Sequence, residues 1–446
     1  MKMKMPSTKK HLSSFQIISL SFLGVILLGT VLLMLPISTK EAGGATFIDA
    51  LFTATSATCV TGLIVHDTAT YWSVFGQAVI LIMIQIGGMG VVTIGLMLAK
   101  VSGKKIGLKQ RSTMQEAIAA PTVSGMVKMT GFIFKTVLVI ELLGAVVFAT
   151  VFCREYSFGK GIWYSVFHSV SAFCNAGFDL NGIKEPFCSL TYYAGQSVIN
   201  ITCMLLIVIG GIGFFTWEDI KSHKWCFKKY RMQSKVIRVV TMILILFPAI
   251  YFYFCEFTDF PIKERILASF FQSVSPRTAG FNTVDLTALS EVGIMLTIIL
   301  MLIGGSPGST AGGMKTTTIA VLCMTACSVF RRKNEVHFFG RRIPENTPRY
   351  AATILMMYLT LFTGGAMVIS YMENVPMLTA LFETGSAIAT VGLSLGITPY
   401  LGLISRVILI LLMFVGRVGG LTLIYAAVSG KHANVSKYPE EKITVG

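Results

Sequence analysis

Four glycines constrain this chain more than any other feature, because each closes a similar half-apolar segment: Gly62, Gly177, Gly280 and Gly392. The segments begin Leu51-Phe52-Thr53-Ala54-Thr55-Ser56, Phe167-His168-Ser169-Val170-Ser171, Phe271-Gln272-Ser273-Val274-Ser275 and Leu381-Phe382-Glu383-Thr384-Gly385-Ser386. A bulky apolar residue follows every glycine: Leu63, Phe178, Phe281 and Leu393. A repeat of this kind sets the whole fold. One loop used four times builds four walls around one path, and that path is the expected seat of function.

The setting of the repeat is a membrane. Of 446 residues, 54% are hydrophobic and 13% charged, where soluble domains carry about 25% charged residues. Apolar runs long enough to cross a bilayer as helices fall at 15–35, 74–98, 131–152, 198–215, 239–257, 292–330 (interrupted), 350–371 and 407–428. Between each odd run and the next lies a shorter segment ending in the glycine loop. At about ten to fourteen residues it is too short to span and fits a re-entrant helix. The expected fold is therefore an all-α membrane protein of four consecutive helix–pore-helix–filter-loop–helix units. They are arranged pseudo-fourfold around one central pore, with eight transmembrane helices. The expected organisation is an N-terminal tail (1–14), repeats at 15–100, 126–217, 236–330 and 350–428, and a C-terminal tail (429–446).

The net charge of +16 does not point to nucleic acid. Its cations cluster between apolar runs at 2–10, 100–111, 221–238 and 331–349, while the glycine-loop connections carry few. The positive-inside rule puts the basic clusters and both termini in the cytoplasm, with the glycine loops entering from outside. The expected location is the cell membrane. The first run is long and lacks a small-residue cleavage site, so it reads as a retained helix rather than a signal peptide. The nine cysteines show no paired spacing and no cysteine–histidine cluster for a metal.

A second alignment supports the unit. Within each second crossing lies a glycine cluster: Ile86-Gly87-Gly88, Ile209-Gly210-Gly211, Ile303-Gly304-Gly305 and Val415-Gly416-Arg417. Close helix packing by small residues accounts for Gly88 and Gly211. It leaves Arg417, and the loop into which the third copy dissolves, unexplained.

Irregular backbone at membrane depth is tolerated only where protein buries it or a water-filled cavity runs beside it. Four such loops converge most economically on a shared axis, where their carbonyls replace a cation's hydration shell. The fourth loop, Thr390-Val391-Gly392, matches the opening of the potassium-channel filter sequence. The first, Val60-Thr61-Gly62, is close; the others read Asn175-Ala176-Gly177 and Thr278-Ala279-Gly280. These twelve residues are the expected potassium-binding filter. Acidic residues Asp67, Asp179, Asp285 and Glu383 sit on its outer side, where a carboxylate ring would concentrate cations.

These features resemble the Trk/Ktr/HKT superfamily of potassium transporters, and most closely the membrane subunit of bacterial Ktr uptake systems. The most specific motifs are Ser275-Pro276-Arg277-Thr278-Ala279-Gly280-Phe281, Asn175-Ala176-Gly177-Phe178 and the stretch from Gly304 to Lys315. Glycine at all four filter positions resembles the potassium-selective branch.

Control is expected where the repeat breaks. Gly304-Gly305-Ser306-Pro307-Gly308-Ser309-Thr310-Ala311-Gly312-Gly313 cannot continue a helix undisturbed, since proline removes a donor and glycine is a poor helix former. A phosphate-binding loop is the rival suggested by Lys315-Thr316, but the spacing differs from the Walker pattern and no strand precedes it. The resemblance implies an intramembrane loop beneath the filter that obstructs passage until it moves. Arg417 is a mid-membrane guanidinium, and such groups face a bundle interior or water. It is expected below the filter as a barrier to cations, against the plainer reading of a structural ion pair or a carbonyl contact. Glu141 reads as a structural partner and Lys135 as a snorkelling cation.

The resemblance further implies a homodimer seated on a cytosolic ring of nucleotide-binding (RCK/KTN-type) regulatory subunits, docked on the basic loops or the tail. No cofactor is expected in this chain; potassium is the transported ion and sodium a coupling or activating one. The alternative is a sodium-coupled secondary symporter of a small solute, a class built on inverted repeats. The four units here share one orientation, which favours a pore. No catalytic constellation points to an enzyme.

Overall fold

The computed structural model describes residues 12–426, apart from 42, 104, 105, 119–122, 225, 334, 421, 423 and 424. The basic run at 2–10 and the tail at 429–446 lie outside the described residues. Unit 1 comprises α1 (Ser14–Leu33), α2 (Phe47–Thr58), α3 (Val74–Met89) and α4 (Val91–Val101), followed by a connecting α5 (Leu108–Ala117). Unit 2 has α6 (Met126–Glu155), α7 (Phe158–Phe173), α8 (Ser197–Gly211) and α9 (Phe214–His223). In unit 3, α10 (Met232–Tyr251) leads to α11 (Ile262–Val274), α12 (Glu291–Leu302) and α13 (Thr316–Phe330). A hairpin of β1 (His337–Phe338) and β2 (Arg341–Arg342) then precedes unit 4. Unit 4 has α14 (Asn346–Glu373), α15 (Met377–Ile388) and α16 (Leu403–Val418).

Local chemistry sets these boundaries. Ser13 opens α1 through a reciprocal capping box with Gln16, which satisfies two otherwise orphaned donors. Ser73 and Ser290 cap α3 and α12 at equivalent places in their units. Pro248 interrupts the donor ladder of α10, and the chain passes into a π-turn at Phe252–Glu256.

The long helices α1, α6, α10 (with its π-turn) and α14 are each long and apolar enough to cross a membrane. They form the outer wall, and much of their surface is exposed apolar side chain, such as Leu28, Leu142, Phe247 and Met367. The short helices α2, α7, α11 and α15 lie inside. Each buries an equivalent phenylalanine completely: Phe52, Phe167, Phe271 and Phe382.

The second crossings depart from the expected straight runs. The runs at 74–98 and 198–215 each turn through about a right angle, 95° between α3 and α4 and 96° between α8 and α9. The turning residues are Gly90 and Gly213, at φ +85° and +91°. That region is open to glycine and costly for residues with a side chain. The fourth follows suit: α16 ends at Val418 with Gly419 at φ +89°, and the expected run to 428 passes beyond the described residues. In unit 3 the break widens into the irregular segment between α12 and α13. Among the described residues, breaks therefore fall at Gly90, Gly213 and Gly419, each three residues past its cluster glycine, as well as in the third crossing, where alone one was expected.

Candidate functional site: a four-loop constriction and the segment beneath it

The pore helices α2, α7, α11 and α15 all end where the glycine loops begin. Their C-terminal ends converge there, each carrying about half a negative charge, a local field that favours cations. The loops then share one backbone pattern. Val60, Asn175, Thr278 and Thr390 have φ between +52° and +76°, and the glycines two residues on have φ between +71° and +96°. Positive φ at β-branched valine and threonine is a true conformational outlier and costs of order 1–3 kcal/mol each.

Serines hold this backbone in place. The amides of Thr61, Ala176 and Val391 donate to the carbonyls of Ser56, Ser171 and Ser386 at 2.8 Å, and Ala279 donates to that of Ser275 at 2.9 Å. The hydroxyls of Ser56 and Ser386 accept from the amides of Gly62 and Gly392 at 3.1 and 2.9 Å. Those of Ser171 and Ser275 donate onward to the carbonyls of Phe178 and Phe281. The sequence carried this signal, a serine five or six residues before each glycine, but the motif reading gave the serines no role.

The loops close into a ring. A Cβ on Gly62 would strike the Ala176 carbonyl, and one on Gly177 would lie 2.8 Å from that of Ala279. A Cβ on Gly280 would strike the Val391 carbonyl, and one on Gly392 the Thr61 carbonyl. Each glycine thus abuts the residue before the glycine of the next loop, in the order one, two, three, four and back to one. All twelve expected filter residues come together here, and all but the half-buried Gly392 are buried.

On one side of the ring lies a cavity of about 250 Å³, with Gly62, Gly177, Gly280 and Gly392 at its floor and Asp179 and Asp285 in its wall. The expected ring of four carboxylates is only half present. Asp67 turns inward, accepting from the amides of Ala69, Thr70 and Phe187 at 2.9–3.1 Å. Glu383 is fully buried and accepts from Leu395 N at 3.2 Å and Thr398 Oγ1 at 2.9 Å. Both hold loops rather than face the cavity, because backbone donors left free by irregular loops need acceptors. Asp179 keeps its place at the wall. Its burial, reinforced by the charge of nearby Asp67, pushes its carboxyl up to about 7.

On the other side lies the irregular segment of unit 3. Thr310 Oγ1 donates to Phe173 O at 3.0 Å, at the end of α7, and lies 3.5 Å from the side-chain amide of Asn175. Substituents on Gly312 and Gly313 would meet Thr390 and Ala389 of loop four. Thr310 and Ser306 donate from their amides to Gly210 O and Gly211 O at 3.2 and 3.0 Å. Lys315 folds back onto its own loop, donating to Ala311 O and Gly312 O at 2.9 and 3.2 Å. Gly304, Gly305 and Ala311 pack within the loop, and Ser309 Oγ donates to Ser306 O at 2.6 Å. Pro307 and Gly308 point away from the axis, where Gly308 O accepts from Phe214 N at 2.7 Å.

Arg417 joins three units at this level. From α16 its guanidinium donates to Thr310 O of the irregular segment and to Gly87 O and Gly88 O of α3, the last at 3.3 Å. The carbonyl-contact reading therefore holds at the same place, below the ring, where the barrier reading put the residue. Three of the four glycine clusters take equivalent places. Substituents on Gly87, Gly210 and Gly416 would strike the carbonyls of Thr58, Phe173 and Ile388, the last residues of their pore helices. Glu141 lies behind loop two, bonded to Gln85 at 3.1 Å with Cys174 Sγ at 3.8 Å, and Lys135 is exposed on α6.

Four pseudo-equivalent helical units around an axial constriction define a membrane transport protein rather than a membrane enzyme. The family model described as "TrkH: Cation transport protein" matches residues 3–437, and the chain belongs to that family. It is 40% identical over 451 residues to the potassium/sodium uptake protein NtpJ of Enterococcus hirae, with 98% of each chain covered. It is 37% identical over 437 residues to the Ktr system potassium uptake protein B of Bacillus subtilis, covering 97% of this chain and 96% of that one. The crystal structure of the potassium transporter TrkH from Vibrio parahaemolyticus matches with a TM-score of 0.75 at 18% identity, over 96% of this chain and 87% of that one. That last likeness establishes the fold, and the sequence relatives bear out the resemblance to the Trk/Ktr membrane subunits.

Proposed function

We propose that this chain carries potassium into the cell through the ring of glycine loops. The carrying observation is the cyclic contact of Gly62, Gly177, Gly280 and Gly392 with the residue preceding the glycine of the next loop. Potassium enters the cavity beside Asp179 and Asp285, sheds water, and is held by the carbonyls of the twelve loop residues. Four pore-helix ends supply the compensating field. Buried hydroxyls of Thr61 and Thr390 have no hydrogen-bond partner among the described residues and suit a passing cation. The names of the relatives support the ion, and that of NtpJ puts sodium beside potassium; in this reading sodium is a coupling or activating ion.

The segment from Gly304 to Gly313, with Lys315 and Arg417, is the gate in this reading. It stands under the ring, and its release opens the path. The protein works as a homodimer with cytoplasmic termini, and a separate cytosolic nucleotide-binding ring on its basic loops moves the gate.

Gly392→Ser tests the filter. The substitution puts a side chain at φ +96° against Thr61 O and the Gly62 backbone, so discrimination between potassium and sodium is expected to fall. Uptake of both ions in cells with normal expression of the variant measures it. Unchanged selectivity would overturn the filter assignment.

A further inference from the structure

The transport path leaves one crevice unused. Between α10 and α13, under the β1–β2 hairpin, lies a cavity of about 560 Å³ lined by apolar side chains including Val239, Ile243, Ala320 and Met324. A second cavity of about 360 Å³ shares Val236 and Phe338 with it and continues inward to Pro307 of the irregular segment. The outer cavity opens on the lipid-facing wall, where Val239 and Ile243 are exposed. The hairpin tip beside it carries an exposed Phe339.

Charge at the mouth identifies the occupant. Lys235 Nζ sits 6.0 Å from the ring of Phe339, which lines the outer cavity. Lys228, Lys229 and Arg238 share its segment, and Arg341 stands on β2. Among the described residues, the nearby carboxylates lie with other cations: Glu218 and Asp219 pair with Arg231, Glu335 pairs with Arg342, and the charge of Glu345 also acts on Arg342. Lys235 donates to a backbone carbonyl, Lys228 O at 2.7 Å, and to no carboxylate among these residues. A narrow apolar slot that opens to the bilayer beneath a cluster of uncompensated cations is complementary to an anionic phospholipid. A second copy of the chain would instead bring two basic clusters face to face.

We infer that an anionic phospholipid binds here, its headgroup on Lys235 and its acyl chain in the slot, with the chain end against Pro307. Occupancy then braces the irregular segment from behind. Binding is independent of the potassium reading, because lipid retention is measured without transport.

The test uses full-length protein, purified in detergent with phosphatidylglycerol and analysed by native mass spectrometry. The wild type is expected to retain phosphatidylglycerol in preference to phosphatidylcholine. Lys235→Gln should weaken retention about fivefold, the value of one interfacial cation near an anionic headgroup. Ala320→Trp, which fills the slot, should abolish it. Equal retention in both variants would overturn the site, as would conversion of Ala320→Trp to a smaller oligomer on size exclusion, which would make the groove an interface between copies. In vesicles, ion flux through the wild type should differ between phosphatidylcholine alone and its mixture with phosphatidylglycerol, and the variants should lose that difference. Identical flux in the two compositions would overturn the link to Pro307.

Discussion

At the scale of single residues, Arg417 is the clearest case of one side chain serving three parts of the molecule. Its guanidinium donates to carbonyls at helix breaks, Gly87 and Gly88 of α3, and to Thr310 of the irregular segment. Charge-assisted bonds of this kind contribute about 1.5–3 kcal/mol each. Arg417→Gln keeps a donor but loses the charge and the fork. The expected result is a folded protein with a faster ion flux, since both the latch on Thr310 and the positive potential below the ring are weakened. Flux in vesicles, read beside thermal unfolding, checks this; a variant that fails to assemble would reduce Arg417 to a structural tie.

Asp179 makes a second residue-scale prediction. Burial and the neighbouring Asp67 raise its carboxyl to about 7, so it is charged above neutral pH and loses that charge as pH falls through 7. If it concentrates cations at the cavity wall, the apparent affinity for external potassium should fall between about pH 8 and 6 in the wild type. Asp179→Asn should have the low affinity throughout and lose the pH dependence in this window. Uptake kinetics at a series of external pH values measures both.

Among elements, the segment between α12 and α13 is held by tertiary contacts rather than by its own structure. It borrows carbonyls from Gly210 and Gly211, a hydroxyl contact at Phe173, and the Arg417 guanidinium. Shortening it by deletion of 305–312 removes most of these bonds along with the obstruction. A rise in flux with normal membrane expression is expected, and an equal or lower flux would remove the segment from the role of gate. This element was legible in sequence because Pro307 and its five neighbouring glycines exclude a helix. The bends at Gly90 and Gly213 and the helix end at Gly419 were not legible in the same way. A lone glycine in an apolar run is common in membrane helices, where close packing explains it equally well; only backbone at φ near +90° distinguishes a corner. The carboxylates failed for a related reason. Asp67 follows its glycine just as Asp285 follows Gly280, and Glu383 stands on α15 ahead of Gly392; it is loop donors that turn both inward.

For the molecule as a whole, the central question is how a linear array of four units becomes a closed ring. Units one, two and three are joined to their successors by chain, but unit four meets unit one only through space. Besides the Arg417 bonds to Gly87 O and Gly88 O, two further contacts across that seam stand out. One is the ring of glycine loops, where Gly392 abuts Thr61. The other is an ion pair from α16 to α2: Arg406 Nη1 lies 2.7 Å from Asp49, and both side chains are largely buried. Arg406 is further fixed by Leu401 O and Pro399 O at 2.8 and 3.1 Å, and Asp49 also meets His66 at 3.3 Å. Removing one partner of a buried pair leaves the other charge uncompensated and costs about 3–5 kcal/mol. Asp49→Ala is therefore expected to lower the unfolding temperature and, because the seam includes loop one and loop four, to reduce potassium selectivity as well. Asp49→Ala combined with Arg406→Leu removes both charges and should recover much of the stability. If selectivity recovers with it, the pair acts by closing the ring. If the double variant is stable yet remains unselective, Asp49 acts on the filter directly through α2. Thermal unfolding of the three proteins in detergent, beside potassium and sodium uptake, separates these outcomes.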